Sequence, residues 1–366
     1  MAMLAIFLSF FVVSFACQKV NLLPHITPES AGKRYLFIDG LRGIAAISVV
    51  TGHIWRVGVK GVDLNGYYID ESSDFVAAFG VQVFFCITGF LFFDQVIRRN
   101  ATFDWEKFYI ARIKRLAPLF FVTMSLCIML LILSKYKEIS SFTFGDAYSA
   151  MSLYLFGFGG QVKILGLDSG LLTAVTWTLP FEWRFYLLLP IACIAIKAKK
   201  TKYLLAFVIL IAALSFIIDA MNIWPYFLIG VASAYAFNRI KINSRVLTSI
   251  VLLVGIASLC LSPLLIESKY DFPSFIVMLV FFMSIVLSKP TLLTKNTFVY
   301  TGEASYSIYL VHSIMCVIIS YVIYHTVGLI NAGEISSLII YSLSSMVICI
   351  VSVLSFKVIE YPFIKK

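Results

Sequence analysis

The 366-residue chain is 61% hydrophobic, carries charge on only 13% of its residues and has a formal net charge of +10. A soluble domain has about twice that charged fraction, and the apolar residues here come in blocks near the ~20 needed to cross a bilayer. A soluble fold is thereby excluded, and the basic balance reads as cytoplasmic Lys and Arg loops and not as a nucleic-acid surface.

In chain order, residues 1–34 read as an apolar N-terminal segment of uncertain role. Residues 1–16 have signal-peptide length, but no Lys or Arg precedes them and no small-residue cleavage pattern closes them before Cys17. An extra short span and an interfacial segment both stay open. Residues 35–366 read as one integral-membrane domain. Spans are predicted at 35–59, 75–97, 116–133, 172–196, 203–218, 224–237, 246–266, 272–287, 304–328 and 335–356. Basic loops (Lys33 and Arg34; Arg98 to Arg115; Lys197 to Lys202; Arg239 to Arg245; Lys289 and Lys295; Lys357, Lys365 and Lys366) alternate with acidic or weakly charged ones (Asp63, Asp70, Glu71 and Asp74; Asp219; Glu267 to Asp271; Asn331 and Glu334). The positive-inside rule then gives an all-α polytopic fold of about ten transmembrane helices, with both ends of the core cytoplasmic. The segment 134–171 fits least well, with Lys135, Lys137 and Lys163 on the outer side, and the Phe-, Tyr- and Gly-rich stretch 142–160 within it reads as re-entrant or interfacial.

The seven cysteines are scattered singly, mostly in apolar blocks, and read as small buried side chains. No HExxH, cysteine–histidine cluster, Walker loop or GxSxG occurs, so no metal or nucleotide-hydrolysis site is expected.

Four polar features interrupt the apolar blocks. Arg42 and His53 bracket an apolar run in the first span; eleven residues put both on one helix face, about 16 Å apart along the axis. A cation and an imidazole on such a stripe are costly unless used or paired. A loop arginine with a hydrogen-bonded core histidine is the plainer alternative. Arg112 and Arg115 share a face if helical and present forked donors suited to phosphate; plain topology signalling explains them equally well. Glu182 lies in the outer part of the fourth predicted span, at the level of His53. It reads either as a partner of Arg184 or as a proton-handling carboxylate. His312 ends the hydroxyl-rich run SYSIYLVH, a packing network or part of a site. Asp39, Trp177 and Tyr306, in the same blocks, are further candidates.

FIDGLRGIAAISVVTGHIWR resembles the opening span of the acyltransferase-3 family of integral-membrane acyltransferases. VQVFFCITGFLFF, FYIARIKRLAP, TWTLPFEWRFYLLLP, SYSIYLVH and IEYPF resemble further blocks of that family, in order, over about residues 35–363, with Thr88 and Thr178 where serine is usual. The resemblance implies transfer of an acyl group, usually acetyl, from cytoplasmic acyl-CoA to a hydroxyl, often on a glycan at or beyond the outer face. Its arginine–histidine pattern falls on Arg42 and His53, its paired arginines on Arg112 and Arg115, and its glutamate on Glu182. Some members append an extracytoplasmic SGNH domain that passes the acyl group on; none is expected here, so the chain completes transfer itself or uses a separate acyl-accepting partner.

Residues and resemblance together imply an O-acetyltransferase of the bacterial cytoplasmic (inner) membrane. Arg42, Arg112 and Arg115 would hold acetyl-CoA; His53 would act as general base or acyl carrier, with Glu182 orienting it. The acceptor would be a surface glycan such as O-antigen or exopolysaccharide, possible in lipid-linked form. A transporter or flippase with a proton relay is the rival, disfavoured because no internal repeat is visible.

Overall fold

The structure, a computed structural model, describes residues 2–20, 22, 34–57, 71–218, 222–327 and 334–364. His25, Lys33, Asp63, Asp70, Asp219, Asn331, Lys365 and Lys366 lie outside them.

The described chain is all-α apart from a two-residue antiparallel hairpin, β1 (Lys163–Ile164) with β2 (Leu167–Asp168). The helices are α1 (Ala2–Lys19), α2 (Leu36–His53), α3 (Glu71–Arg98), α4 (Trp105–Ser134), α5 (Phe144–Ser152), α6 (Leu179–Lys197) and α7 (Thr201–Ile218). They continue with α8 (Tyr226–Arg239), α9 (Arg245–Cys260), α10 (Phe272–Ser288), α11 (Asn296–Glu303), α12 (Ser305–Val327) and α13 (Glu334–Ser355). By length and composition, six helical stretches can cross a bilayer: Leu36–Val57, Asp74–Arg98, Trp105–Ser134, Thr176–Lys197, Ser305–Thr326 and Ile335–Ile364. The other expected spans are helices α7 to α10. They have 18, 14, 16 and 17 residues, about 21–27 Å of rise against a hydrocarbon core of about 30 Å.

The helix α2 is the centre of the bundle. It packs against α3, α11, α12 and α1, and 83% of its apolar window is buried, against 28% for the stretch containing α6. The outward side of α6 and α7 instead exposes Leu187, Leu188, Ile191, Ile194, Phe207 and Leu210, a surface suited to lipid tails. Close approach around the centre depends on glycine. Gly89 of α3 and Gly230 of α8 face each other's backbones so closely that a Cβ on Gly89 would strike the Phe227 carbonyl, and one on Gly230 the Cys86 carbonyl. Such small-residue contacts let membrane helices pack without a hydrophobic driving force between them.

Local signals explain one departure from the sequence reading and the helix that forms in the segment 134–171. The basic segment before the third span is not a loop. Asp104 caps α4, its carboxylate accepting from the Lys107 backbone N–H at 3.1 Å, and the helix starts eleven residues before the apolar block. Arg112 and Arg115 therefore stand on consecutive turns of a 30-residue helix. In the segment 134–171, Thr143 and Asp146 form a reciprocal capping box that starts α5, and Phe144, Tyr148 and Met151 are exposed along it, as on an interfacial helix. The N-terminal apolar segment is the helix α1, docked on α13 and α11 through Ile6, Phe10, Val13 and Cys17. The Thr301 hydroxyl donates to Ser14 Oγ at 2.9 Å.

Candidate active site

A cavity of about 310 Å³ opens between α2, α3, α4, α6 and α12. One end is polar: Arg42, Gln95, Arg112, Arg115 and Glu182 line it. The other end is aromatic, with Phe84, Phe85, Thr178 and Tyr309. Along α3 the lining runs from Val81 to Gln95, about 21 Å of helix.

Arg42 lies in the second turn of α2, and neither it nor Arg112 makes a hydrogen bond or ion pair with a described residue. The Arg112 Nε is buried with no partner, and its guanidinium lies over the Phe92 ring at 5.1 Å. Buried guanidinium donors facing a cavity without a protein acceptor form a site waiting for an anion. Arg115 is held differently. Its Nη2 donates to the Glu303 carbonyl at 3.3 Å, and its Nη1 lies 3.6 Å from Glu360 Oε2. Glu360 is fully buried. It sits on a π-helical turn, Phe356–Glu360, that ends α13 and packs against α4, and it also accepts from Ser307. Ser305 Oγ, on the cavity wall, is buried without a partner.

Glu182 stands in the first turn of α6, where a helix N-terminus favours a carboxylate. It accepts from the Tyr186 hydroxyl at 2.9 Å, with Thr88 close by. The expected Arg184 partnership does not form: Arg184 is exposed and stacks over Phe181 and Phe158. The placement of Glu182 beside His53 is also corrected. The chain leading into α6 descends through the bundle. The Leu171 carbonyl faces Arg56 Nη1 at 3.5 Å, beyond His53; Thr178 meets the Tyr309 hydroxyl at 2.8 Å; only then does Glu182 arrive, in the cavity it shares with Arg42. One straight span from residue 172 would put Glu182 farther out than it lies. The helix proper begins at Leu179, after a 3₁₀ turn at Thr176–Thr178.

His53 has another partner. Its Nδ1 lies 2.9 Å from Nε2 of His312, with the two rings parallel and their centroids 5.2 Å apart. His312, on α12, is fully buried. Neither ring lines the cavity; Tyr309, which does, has its ring 6.4 Å from that of His312, and Phe84 packs edge-on against Tyr309. The helices α2 and α12 thus run side by side from the arginine end to the histidine pair.

The remaining candidates have these places. Tyr306 lines the cavity and donates to the Leu116 carbonyl at 2.9 Å. Asp39 lies outside the lining and accepts from Arg34 at 3.0 Å. Arg34 also holds Glu303 at 2.7 Å; burial pushes the Glu303 carboxyl up, and this guanidinium opposes the push. Trp177 lies outside the lining too, packed against Phe181 and Tyr270. Thr88, Tyr186, Tyr309 and Glu360 lie inside the sequence blocks quoted above but are not among the candidate site residues read from them. The four-residue spacing of Glu182 and Tyr186 on one helix was a usable signal. Glu360 is the acidic residue of the block IEYPF, but its pairing with Arg115 was not legible, because a π turn shifts the register of its face.

The family model described as an acyltransferase domain matches residues 35–354. An acetyltransferase-named protein, ORF330 of Acidianus two-tailed virus, is 25% identical over 304 residues, 76% of this chain and 82% of its own. Nodulation protein 10 of Rhizobium leguminosarum is 29% identical over 44% of this chain and 45% of its own. Peptidoglycan O-acetyltransferase OatA of Listeria monocytogenes is 28% identical over 49% of this chain and 27% of its own. The chain thus spans less than half the length of the last two. No solved structure matches it. With the family model covering most of its length, the chain belongs to the acyltransferase-3 family of multi-span membrane proteins.

Proposed function

We propose that the protein is an O-acetyltransferase of a bacterial cytoplasmic membrane, moving an acetyl group from acetyl-CoA to a hydroxyl of a cell-surface glycan. The observation that carries this reading is the cavity with two unpaired arginines at one end and an aromatic neck leading toward a histidine pair at the other. Acetyl-CoA has matching ends: anionic phosphates on its nucleotide and a reactive thioester at the tip of a thin pantetheine arm. Arg42 and Arg112 engage the phosphates, with Arg115 held beside them. The arm lies along α3, and the thioester reaches the neck at Thr178 and Tyr309. Displacement of the Tyr309 ring brings it to His53.

There His53 takes the proton from the acceptor hydroxyl as its oxygen attacks the thioester carbonyl. The C–O bond forms, the C–S bond breaks, and the proton on His53 passes to the departing thiolate to give CoA thiol. Glu182 acts at the donor end, where it holds Tyr186 and offsets the crowded guanidinium charge. OatA is named for acetylating peptidoglycan, and that name supports a glycan acceptor here, either reached directly or through a separate acyl-accepting partner.

The test uses the full chain in membranes with radiolabelled acetyl-CoA. Covalent label on glycan is expected. His53→Ala should abolish it at equal protein level. The double variant Arg112→Ala with Arg115→Ala should weaken donor binding about 10²-fold, the loss of one or two charge-assisted hydrogen bonds. Movement of a solute across the membrane without covalent change would establish the transporter reading instead.

A further inference from the structure

Three contacts around the histidine pair determine which nitrogen of each ring carries a proton. His312 Nδ1 lies 3.1 Å from the Ile308 carbonyl, one turn back on α12. A carbonyl can only accept, so Nδ1 of His312 is the protonated nitrogen, and in the neutral ring its Nε2 holds a lone pair. That Nε2 points at His53 Nδ1 at 2.9 Å, with Ser313 Oγ at 3.3 Å from the same nitrogen. The Ser313 hydroxyl could also donate to that lone pair, but two facing lone pairs at 2.9 Å would repel, so His53 Nδ1 carries hydrogen and the lone pair of His53 falls on Nε2, the nitrogen turned away from His312.

We infer that His312 is a positioning residue for the reaction proposed above: through the Ile308 carbonyl it fixes His53 in the Nδ1–H tautomer and so presents Nε2 as the base. The inference rests on that reaction and adds to it the origin of the base. Hydrolytic triads place a carboxylate behind the catalytic imidazole, which both fixes the tautomer and stabilises the imidazolium. Here the group behind is a neutral ring whose orientation comes from the backbone of α12. It fixes the tautomer at no cost in buried charge, which suits a site inside a membrane bundle. During transfer, Nε2 of His53 gains the hydroxyl proton and the Nδ1 hydrogen stays in its bond to His312. When Nε2 gives its proton to the thiolate, both rings return to their starting tautomers, so atoms and charge balance over the cycle. The two ring planes are parallel, and a 5.2 Å centroid separation with a 2.9 Å N···N contact sets the rings edge to edge in nearly one plane, the geometry that an in-plane N–H···N bond needs.

The experiment combines nitrogen NMR and kinetics on the full-length protein in nanodiscs, labelled with ¹⁵N-histidine. The chain has only four histidines, so His53 is assigned by its loss in His53→Ala. The native protein should show His53 protonated at Nδ1. In His312→Leu, which keeps the bulk but has no acceptor, His53 should change to the Nε2–H form. In His312→Gln, whose amide oxygen can accept, it should stay Nδ1–H. Turnover should follow: His312→Leu is expected to lose roughly 10²- to 10⁴-fold in kcat at unchanged KM for acetyl-CoA, and His312→Gln to recover most of that loss. A native His53 protonated at Nε2, or equal turnover in the Leu and Gln variants, would overturn the inference. A native protein with the expected spectrum and no acyl transfer would overturn the proposed reaction and leave the histidine geometry standing.

Discussion

At the scale of single residues, the arginines of the cavity are set apart by what holds them. Arg42 and Arg112 face the cavity with no acceptor among the described residues, whereas Arg115 is braced by Glu360 and the Glu303 carbonyl. Glu360 is too deep to meet solvent or ligand, with Oε1 accepting from Ser307 and Oε2 directed at Arg115. Its contribution to activity should therefore pass through Arg115. Glu360→Gln should raise KM for acetyl-CoA about tenfold, equivalent to about 1.4 kcal/mol, while leaving kcat within a factor of about two. A fall in kcat with KM unchanged would place Glu360 in the chemistry instead. Arg42, Arg112, Arg115, His53 and Glu182 could all be read from the sequence, because charge in an apolar block is conspicuous. The partner of His53 could not: His53 and His312 are 259 positions apart, and no local pattern joins them.

At the scale of elements, the block VQVFFCITGFLFF does two jobs on two faces of α3, about 100° apart around the helix. Thr88 lines the cavity beside Glu182, while Gly89 meets the α8 backbone at Phe227. A side chain at Gly89 would push α8 away and widen the wall of the cavity. Gly89→Leu should cost about 1–3 kcal/mol of stability and lower the melting temperature in detergent. Gly145→Ala, on exposed α5 with only an ordinary contact near its new Cβ, should leave that temperature unchanged or slightly higher. Equal melting of the two variants would show that the α3–α8 contact tolerates a side chain. The apolar blocks located the long helices well, since bilayer length and hydropathy determine both. They located helix starts poorly. Asp104 and the turn at Thr176–Thr178 control where α4 and α6 begin, and those local signals put the arginines on a helix and Glu182 at the arginine end of the cavity.

At the scale of the whole molecule, α2 and α12 run side by side through the bundle, with arginines near one end and the histidine pair about three turns further along α2. The proposed route uses that length: the charged part of the donor stays on the side of the arginines, and only the acetyl group passes the Tyr309 neck. This separation of donor from acceptor is the central claim, and sidedness tests it most directly. Sealed membrane vesicles of both orientations, carrying the native chain or His53→Ala, are given radiolabelled acetyl-CoA on the outside only, and label on glycan is counted. Label should form only with the native chain, and only in vesicles whose cytoplasmic face is outward. Equal labelling in both orientations, or labelling by His53→Ala at the native level, would contradict the account.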